Sequence, residues 1–136
     1  MSKWMCRAFA TTMLALTLAP APAAAKVVCD RACLIKLTDS YVAGLASHST
    51  QGVPLSQHVA FVENAKPMNV GDGLWKDVQS GPTQFQVHVP DPVNETAGWL
   101  GMVQVGGKPT MVAIRLKLDK DGKIAEAEHL FAAVSS

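Results

Sequence analysis

Three side chains capable of acid–base chemistry fall on predicted strands beside apolar residues: Glu63, Arg115 and His129. Glu63 lies in "HVAFVEN", where alternation puts it on the same face as Val59 and Phe61. A carboxylate held among apolar side chains can serve as a general base or acid near neutral pH. The alternative is structural: Glu63 ends its strand and either caps the next turn or pairs with Arg115.

Arg115 lies in "VAIRLKL", and its role depends on which face of that strand lines the interior. If its own face does so, Arg115 can orient an anionic substrate group or hold Glu63 in place. Alternation equally allows an exposed Arg115 beside Lys117. The more apolar face carries Val112, Ile114, Leu116 and Leu118.

His129 is the third candidate catalytic residue. It alternates with Ala127 and Phe131, while Glu126 and Glu128 take the wetter face. A histidine in these surroundings can shuttle a proton. It can equally be a core residue whose polar atoms are satisfied by one hydrogen bond.

Four further residues are candidate ligand contacts: Trp75, Trp99, Asn64 and Asp91. The two indoles can form an aromatic wall for a flat apolar ligand, although large aromatic residues also fill small cores. Asn64 ends the strand of Glu63. Asp91 lies between two prolines in "VPDPVNE", where it either borders a pocket or shapes a turn.

The elements that position these residues follow from periodicity. Apolar residues at spacings of three and four predict a helix from Asp30 to about Ser47, with Asp30 as its N-cap. A strand over "HVAFVEN" follows. "AKPMNVGDG" is typical of turns, and Asp72 can cap a short helix from Gly73 to about Val78. Four more strands are predicted over "TQFQVHV", "GWLGMVQV", "PTMVAIRLKLD" and "KIAEAEHLFAAV", the middle two joined by a Gly-Gly turn. One main helix followed by an antiparallel meander predicts an α+β fold.

The first 25 residues predict export. Lys3 and Arg7 precede an apolar run that ends in three alanines, which is the pattern of a cleaved secretory signal. Residues 26–136 then form one domain, either periplasmic or secreted. In an oxidising compartment Cys29 and Cys33 are expected to be bridged, with Cys29 just outside the helix.

Charge and motifs narrow the classes of partner and cofactor. The chain has 12 basic and 11 acidic residues without a run of either sign, so neither nucleic acid nor a membrane surface is expected as a partner. The four histidines have no metal-ligand spacing, and no phosphate-binding glycine loop follows a strand. No metal and no other cofactor is expected.

The order of elements and the segments "FVEN", "GDGLW", "GWLGMVQVGGKPTMVAIRLKL" and "DGKIAEAEHL" resemble the nuclear transport factor 2-like (SnoaL-like) superfamily. The resemblance runs from Asp30 to Val134 and is closest to a secreted subgroup with a cysteine pair at the helix start. It implies a cone-shaped, curved antiparallel sheet wrapped around a long N-terminal helix. The tyrosine-plus-two-acids set of the steroid isomerases and the Asp-Arg-Asp set of the limonene epoxide hydrolases do not map onto this chain. Its one tyrosine, Tyr41, falls on the apolar stripe of the helix.

The functional prediction is an exported cone protein with a small, mainly apolar pocket. If it is an enzyme, we expect cofactor-free isomerase, dehydratase, hydratase or lyase chemistry on a small apolar or aromatic molecule. Glu63 would be the base, and Arg115 or His129 the electrostatic partner. The alternative is a protein that binds a small ligand without turnover, or that buries its open sheet face in a homodimer. A third, structural interpretation pairs Glu63 with Arg115 in a filled cone.

Overall fold

The computed structural model describes residues 29–134, so the predicted signal segment lies outside the described residues. Helix α1 (Arg31–Ala46) is followed by strands and one short helix: β1 (Leu55–Glu63), β2 (Lys66–Met68), α2 (Leu74–Asp77), β3 (Val78–Ser80), β4 (Gln86–Asp91), β5 (Thr96–Val105), β6 (Lys108–Leu118) and β7 (Ile124–Ala133). No helix among residues 29–134 is both long enough and apolar enough to cross a membrane.

The seven strands form one sheet, curled into a half-barrel, in the order β2-β1-β7-β6-β5-β3, with β4 also paired to β5. Every pairing is antiparallel, as predicted, except that of β1 with β7, which is parallel. The first strand of the chain therefore lies beside the last one. The α+β cone expected from the sequence is confirmed, with this single parallel junction as a difference.

Helix α1 begins where its capping residue predicts. The Asp30 side chain accepts a hydrogen bond from the Cys33 amide at 2.8 Å, which satisfies one of the free N–H groups of the first turn. Cys29 lies just outside the helix and forms the predicted disulfide with Cys33. The apolar stripe faces the sheet, and its buried members include Leu34, Leu37, Tyr41 and Leu45.

The sheet has two distinct faces. We call the face that packs against α1 the inner face and the opposite one the outer face. Strand β6 shows the alternation clearly: Val112, Ile114, Leu116 and Leu118 are buried, while Arg115 and Lys117, which alternate with the last three, are exposed. The inner face therefore carries the core, and side chains of the outer face contact solvent.

Three local predictions between β1 and β4 are wrong. Residues 66–68, assigned to a turn, and residues 78–80, of which Val78 was assigned to the end of a helix, form short strands. Pairing with β1 and β5 satisfies the backbone N–H and C=O groups of these segments. Asp72 does not cap α2, whose N-cap is Gly73 without a side-chain hydrogen bond. The Asp72 carboxylate binds Lys76 instead.

Candidate acid–base site

Glu63 and His129 lie side by side on the inner face. The parallel pairing of β1 with β7 sets Glu63 directly opposite His129, and residues opposite each other in a sheet share a face. Both are buried, with 6% of Glu63 and 0% of His129 exposed. Two residues 66 positions apart thus become neighbours through strand pairing alone.

Helix α1 supplies a third member, Tyr41. His129 Nδ1 lies 3.2 Å from Glu63 Oε2, and His129 Nε2 lies 3.0 Å from the Tyr41 hydroxyl. A neutral imidazole carries one proton, and an ionised carboxylate only accepts hydrogen bonds. With Glu63 ionised, Nδ1 must donate to Glu63, and Nε2 must accept from the Tyr41 O–H. The result is a continuous chain of hydrogen bonds from carboxylate to imidazole to phenol, which we call the Glu63–His129–Tyr41 chain.

The "GDGLW" segment holds the carboxylate end of this chain. The Leu74 amide donates to the two Glu63 oxygens at 3.3 and 3.1 Å. Gly73 allows this close approach, since a Cβ there would lie 2.8 Å from Glu63 Cδ and closer still to Oε1. Its φ of 59° and ψ of −126° also suit glycine alone. Gly73 is therefore required by Glu63 as much as by the turn.

The phenol end is enclosed by aromatic rings. Tyr41 packs edge-to-face on Trp75 and on His129, and Phe61 also packs edge-to-face on His129. Burial raises the pKa of Tyr41 well above its ordinary value, the nearby Trp75 N–H lowers it somewhat, and the negative charge of Glu63 raises it further. Tyr41 is therefore a neutral phenol at rest.

Trp75 contributes a second donor near the Tyr41 oxygen. Its buried indole N–H influences the Tyr41 pKa, yet its geometry does not meet that of a hydrogen bond, and within residues 29–134 it has no hydrogen-bond partner. An unpaired buried donor costs free energy and is rare in folded proteins. Because the Tyr41 O–H donates to His129, the Tyr41 oxygen can still accept a hydrogen bond from a substrate. The Trp75 N–H beside it can donate one.

The Glu63–His129–Tyr41 chain can exist in two proton arrangements with the same positions of heavy atoms. In the first, Glu63 is ionised and protons lie on Nδ1 and on the Tyr41 oxygen. In the second, both protons have moved one step, so that Glu63 and Nε2 are protonated and Tyr41 is a phenolate. The first is the resting arrangement, because burial and the Glu63 charge both oppose the phenolate.

Arg115 does not reach this site, so the expectation that it holds Glu63 or faces the interior is wrong. It lies on the outer face, where its guanidinium pairs with Glu126 at 3.0 Å and Glu128 at 3.7 Å. Its neighbours Ile114 and Leu116 take the inner face because they are the more apolar pair. The alternative that the sequence left open, an exposed Arg115 beside Lys117, is the arrangement observed.

The four candidate ligand contacts do not converge on one pocket. Trp99 is buried, donates its N–H to Gln86 at 3.2 Å and lies over Gly101. Asn64 is exposed and accepts a hydrogen bond from the Phe131 amide.

Asp91 shapes a turn, accepting from Val93 N and from the Asn94 amide groups, and the Asn94 hydrogen bonds hold its pKa below the usual range. Of the four candidates, Trp75 packs its ring against Tyr41 of the Glu63–His129–Tyr41 chain, and Asn64 donates its backbone N–H to the His129 carbonyl oxygen at 2.8 Å.

Tyr41 is the member of the site that sequence reasoning missed. Its place on the apolar stripe of α1 argued for a core residue, and the periodicity did not show that its hydroxyl meets His129. The available signal was chemical: a phenol at the centre of an inward-facing stripe needs a polar partner. Among residues 29–134, no three His, Cys, Asp or Glu side chains cluster closely enough to hold a metal ion.

Several solved structures share this architecture. The chain is similar to an NTF2-like protein of unknown function from Cytophaga hutchinsonii, with 12% identity, a TM-score of 0.55 and coverage of 73% of this chain and 89% of that one. It is similar to AusH from Aspergillus nidulans, with 12% identity, a TM-score of 0.56 and coverage of 78% and 88%. A steroid delta-isomerase from Pseudomonas aeruginosa matches with 13% identity, a TM-score of 0.50 and coverage of 73% and 79%.

This chain has the NTF2-like fold. The superfamily resemblance drawn from the sequence is thereby confirmed at the level of fold. No protein-family model matches the sequence, and comparison with curated proteins finds no match. Sequence identities of 12–13% carry no residue roles across, so the chemistry of this NTF2-like domain rests on its own side chains.

Proposed function

We propose that this protein is an exported, cofactor-free acid–base enzyme acting on a small organic molecule, with the Glu63–His129–Tyr41 chain as its proton relay. The observation that carries the proposal is the unbroken line of hydrogen bonds from a buried carboxylate through an imidazole to a phenol. Isomerisation, dehydration, hydration and carbon–carbon lyase reactions all require one proton to leave or join carbon or oxygen. The relay supplies that step.

The relay works by moving three protons together, one from the substrate and two within the relay. The Tyr41 oxygen takes a proton from the substrate while its own proton passes to His129 Nε2, and the Nδ1 proton passes to Glu63. The substrate becomes the anion, and Glu63 becomes a neutral acid. Reversal of the same steps returns the proton to a different atom of the substrate. Glu63 thus remains the ultimate base, as expected from sequence, but it acts at a distance through Tyr41.

The position of Trp75 suits the charge that develops in this step. Its N–H is the free donor beside the Tyr41 oxygen. A donor fixed in a dry site stabilises a developing oxyanion far more than water does. The unpaired N–H would therefore gain its hydrogen bond when the substrate becomes negative.

Substrate reaches the relay by displacing α2. This helix has only four residues, carries Trp75 and begins after two glycines with positive φ, Gly71 and Gly73. It is held by the Leu74 amide on Glu63 and by His48, whose Nδ1 lies 2.6 Å from the Trp75 carbonyl oxygen. The Leu74 and Trp75 side chains are buried in the core, so they must move out with α2 and return before the Trp75 N–H can act.

Two further observations support the proposal. The steroid delta-isomerase from Pseudomonas aeruginosa is by name an isomerase of a small organic molecule, and it shares this fold. The Cys29–Cys33 disulfide supports export, because such bonds persist in oxidising compartments.

The test combines a ligand screen with matched variants. The purified protein, with its disulfide intact, is screened by thermal shift against small aromatic, terpenoid, steroid and lactone compounds, since a ligand that binds only the native state raises Tm. Compounds that stabilise it are then assayed for turnover. Loss of proton transfer in Tyr41→Phe or Glu63→Gln should lower kcat by roughly 10²–10⁴-fold with little change in Kd.

The control is Thr38→Val, which removes another buried hydroxyl from the same helix. Within the described residues the Thr38 hydroxyl bonds only the Leu34 carbonyl, at 2.7 Å, and it has no place in the relay. It should leave kcat within about threefold of wild type, since it takes nothing from the proton path. A fall in kcat for Thr38→Val as large as that for Tyr41→Phe would contradict the enzyme proposal. Compounds that stabilise the protein but are never converted would also contradict it and would indicate a binding protein.

A further inference from the structure

The pairing that aligns Glu63 with His129 lacks the usual means of fixing strand register. Strands β1 and β7 run parallel, so no tight turn joins them, whereas the turn of a hairpin sets the register of an antiparallel pair. The pairing is also irregular, because the register shifts between Leu55 and Ala60. It is regular only from Ala60 to the end of β1. A slip of one residue there would set Glu63 opposite a side chain of the outer face and break the relay.

Asn64, the residue that follows Glu63, contacts β7 twice. Its backbone N–H donates to the His129 carbonyl oxygen at 2.8 Å, and its side-chain Oδ1 accepts from the Phe131 N–H at 3.0 Å. In a regular parallel ladder a residue donates to one residue of the neighbouring strand and accepts, through its own carbonyl, from the residue two positions further on. Asn64 makes both bonds, but the second one uses Oδ1 in place of the main-chain carbonyl oxygen. Asn64 therefore adds one rung to the pairing after β1 has ended.

The main chain of Asn64 does not supply this rung because the chain turns there. Asn64 and Ala65 have φ values of 45° and 63°, and they form the two-residue turn that sets Glu63 opposite Lys66 in β2. Two successive residues with positive φ are a feature of the type I′ hairpin turn, which favours Asn. The turn takes the Asn64 carbonyl out of the ladder, and the side-chain amide replaces it.

We propose that Asn64 is a positioning residue of the relay, whose side chain holds the β1–β7 register that keeps Glu63 opposite His129. Its two hydrogen bonds bind the peptide groups on either side of Leu130, directly beyond His129. Without the side-chain rung the end of β1 can move relative to β7, and Glu63 Oε2 then separates from His129 Nδ1, which lies 3.2 Å away. The importance of this register rests on the proposed function, but the register itself can be measured without a substrate.

Three variants separate the rung from the turn. Asn64→Gly keeps the positive φ without strain and removes the acceptor. Asn64→Asp keeps both features, because Asp tolerates this conformation and its carboxylate accepts hydrogen bonds. Ala65→Gly is the matched control, since it relieves the same kind of backbone strain one residue further on and removes only a methyl group.

The experiment is NMR of the purified protein with its disulfide intact. Amide hydrogen exchange reports on the Phe131 N–H, and ¹⁵N resonances of the imidazole report on His129. Asn64→Gly should exchange the Phe131 amide about tenfold faster, the equivalent of one hydrogen bond, and should shift the His129 Nδ1 resonance as the bond to Glu63 lengthens. Asn64→Asp should exchange this amide within about threefold of wild type. Asn64→Asp and Ala65→Gly should both keep the wild-type His129 resonance.

A residue that only stabilised the turn would lower Tm without moving the His129 resonance. An Asn64→Gly protein with the wild-type resonance would therefore overturn the proposal, as would an equal shift in Ala65→Gly or a failure of Asn64→Asp to restore the signal. An unfolded Asn64→Gly protein would overturn it too, because one exposed hydrogen bond cannot supply the whole stability of a domain.

Failure of the enzyme proposal would be a separate result. If the His129 resonance shifts in Asn64→Gly alone but the wild-type protein converts no compound, Asn64 still sets the register, and only the proposed function is contradicted.

Discussion

Replacement of Gly73 by alanine gives the sharpest test of how the carboxylate end of the relay is held. The new Cβ would lie 2.8 Å from Glu63 Cδ, where ordinary contacts begin at 3.4 Å. The backbone at Gly73 and strand β1 are both held in place, so the Glu63 carboxylate is the group that must move. Its displacement breaks the hydrogen bonds to the Leu74 amide and to His129.

The magnitude follows from these losses. A side chain at positive φ costs about 1–2 kcal/mol, and each buried group left unpaired costs about 1–3 kcal/mol. The free energy of unfolding should therefore fall by about 3–8 kcal/mol in Gly73→Ala. For a domain of this size, that corresponds to a fall in Tm of roughly 15 °C or more.

Gly71→Ala is the control that separates strain from collision. Gly71 also has a positive φ, 100°, but a Cβ there meets nothing within 4 Å. Gly71→Ala should lower the free energy of unfolding only by the backbone strain of about 1–2 kcal/mol. Chemical denaturation measures both variants, and a cycle with Glu63→Ala should recover most of the difference, since the colliding carboxylate is then absent. Equal destabilisation of Gly71→Ala and Gly73→Ala would refute the claim that Gly73 makes room for the Glu63 carboxylate.

Three further outcomes are expected. Replacing Cys29 and Cys33 together by serine should lower the free energy of unfolding by about 2 kcal/mol, because the bridge closes only a short loop; a loss above 4 kcal/mol in urea would contradict this. Arg115→Ala should lower the free energy of unfolding by less than about 1 kcal/mol and leave turnover unchanged, because its ion pairs are exposed. A large fall in kcat would instead indicate that Arg115 takes part in the reaction. Because the pKa of Tyr41 is raised, the native state holds the phenol proton more tightly than the unfolded chain does. The stability that this proton contributes is complete below about pH 10 and is lost as pH rises further. Tyr41→Phe should therefore lose less stability than wild type between about pH 9 and 11, and parallel curves of unfolding free energy against pH would argue against a buried phenol.

Local patterns predicted the parts of the fold that depend on near neighbours. The spacing of Leu34, Leu37, Tyr41 and Leu45 and the cap at Asp30 placed α1 to within a residue or two. Alternation in β7 correctly put His129 on the inner face and Glu128 outside, because a strand exposes every second side chain.

Contacts between distant segments were beyond local patterns. Glu63 and His129 were both candidates, but their contact depends on a parallel pairing of the first and last strands that no turn signal specifies. The face of β6 that carries Arg115 depends on strand register, because a shift of one residue exchanges the two faces. Tyr41 was assigned to the core because apolar periodicity records where a side chain points and says nothing of its hydroxyl.

The most direct test of the relay is the protonation of the His129 ring, read by ¹⁵N NMR in wild type and in Tyr41→Phe. A proton on Nδ1 and an unprotonated Nε2 are expected in wild type, because Glu63 accepts from one nitrogen and Tyr41 donates to the other. The Nε2 resonance should then shift in Tyr41→Phe, while Nδ1 stays protonated. A proton on Nε2 at rest, or an Nε2 resonance indifferent to the loss of the phenol, would contradict the relay.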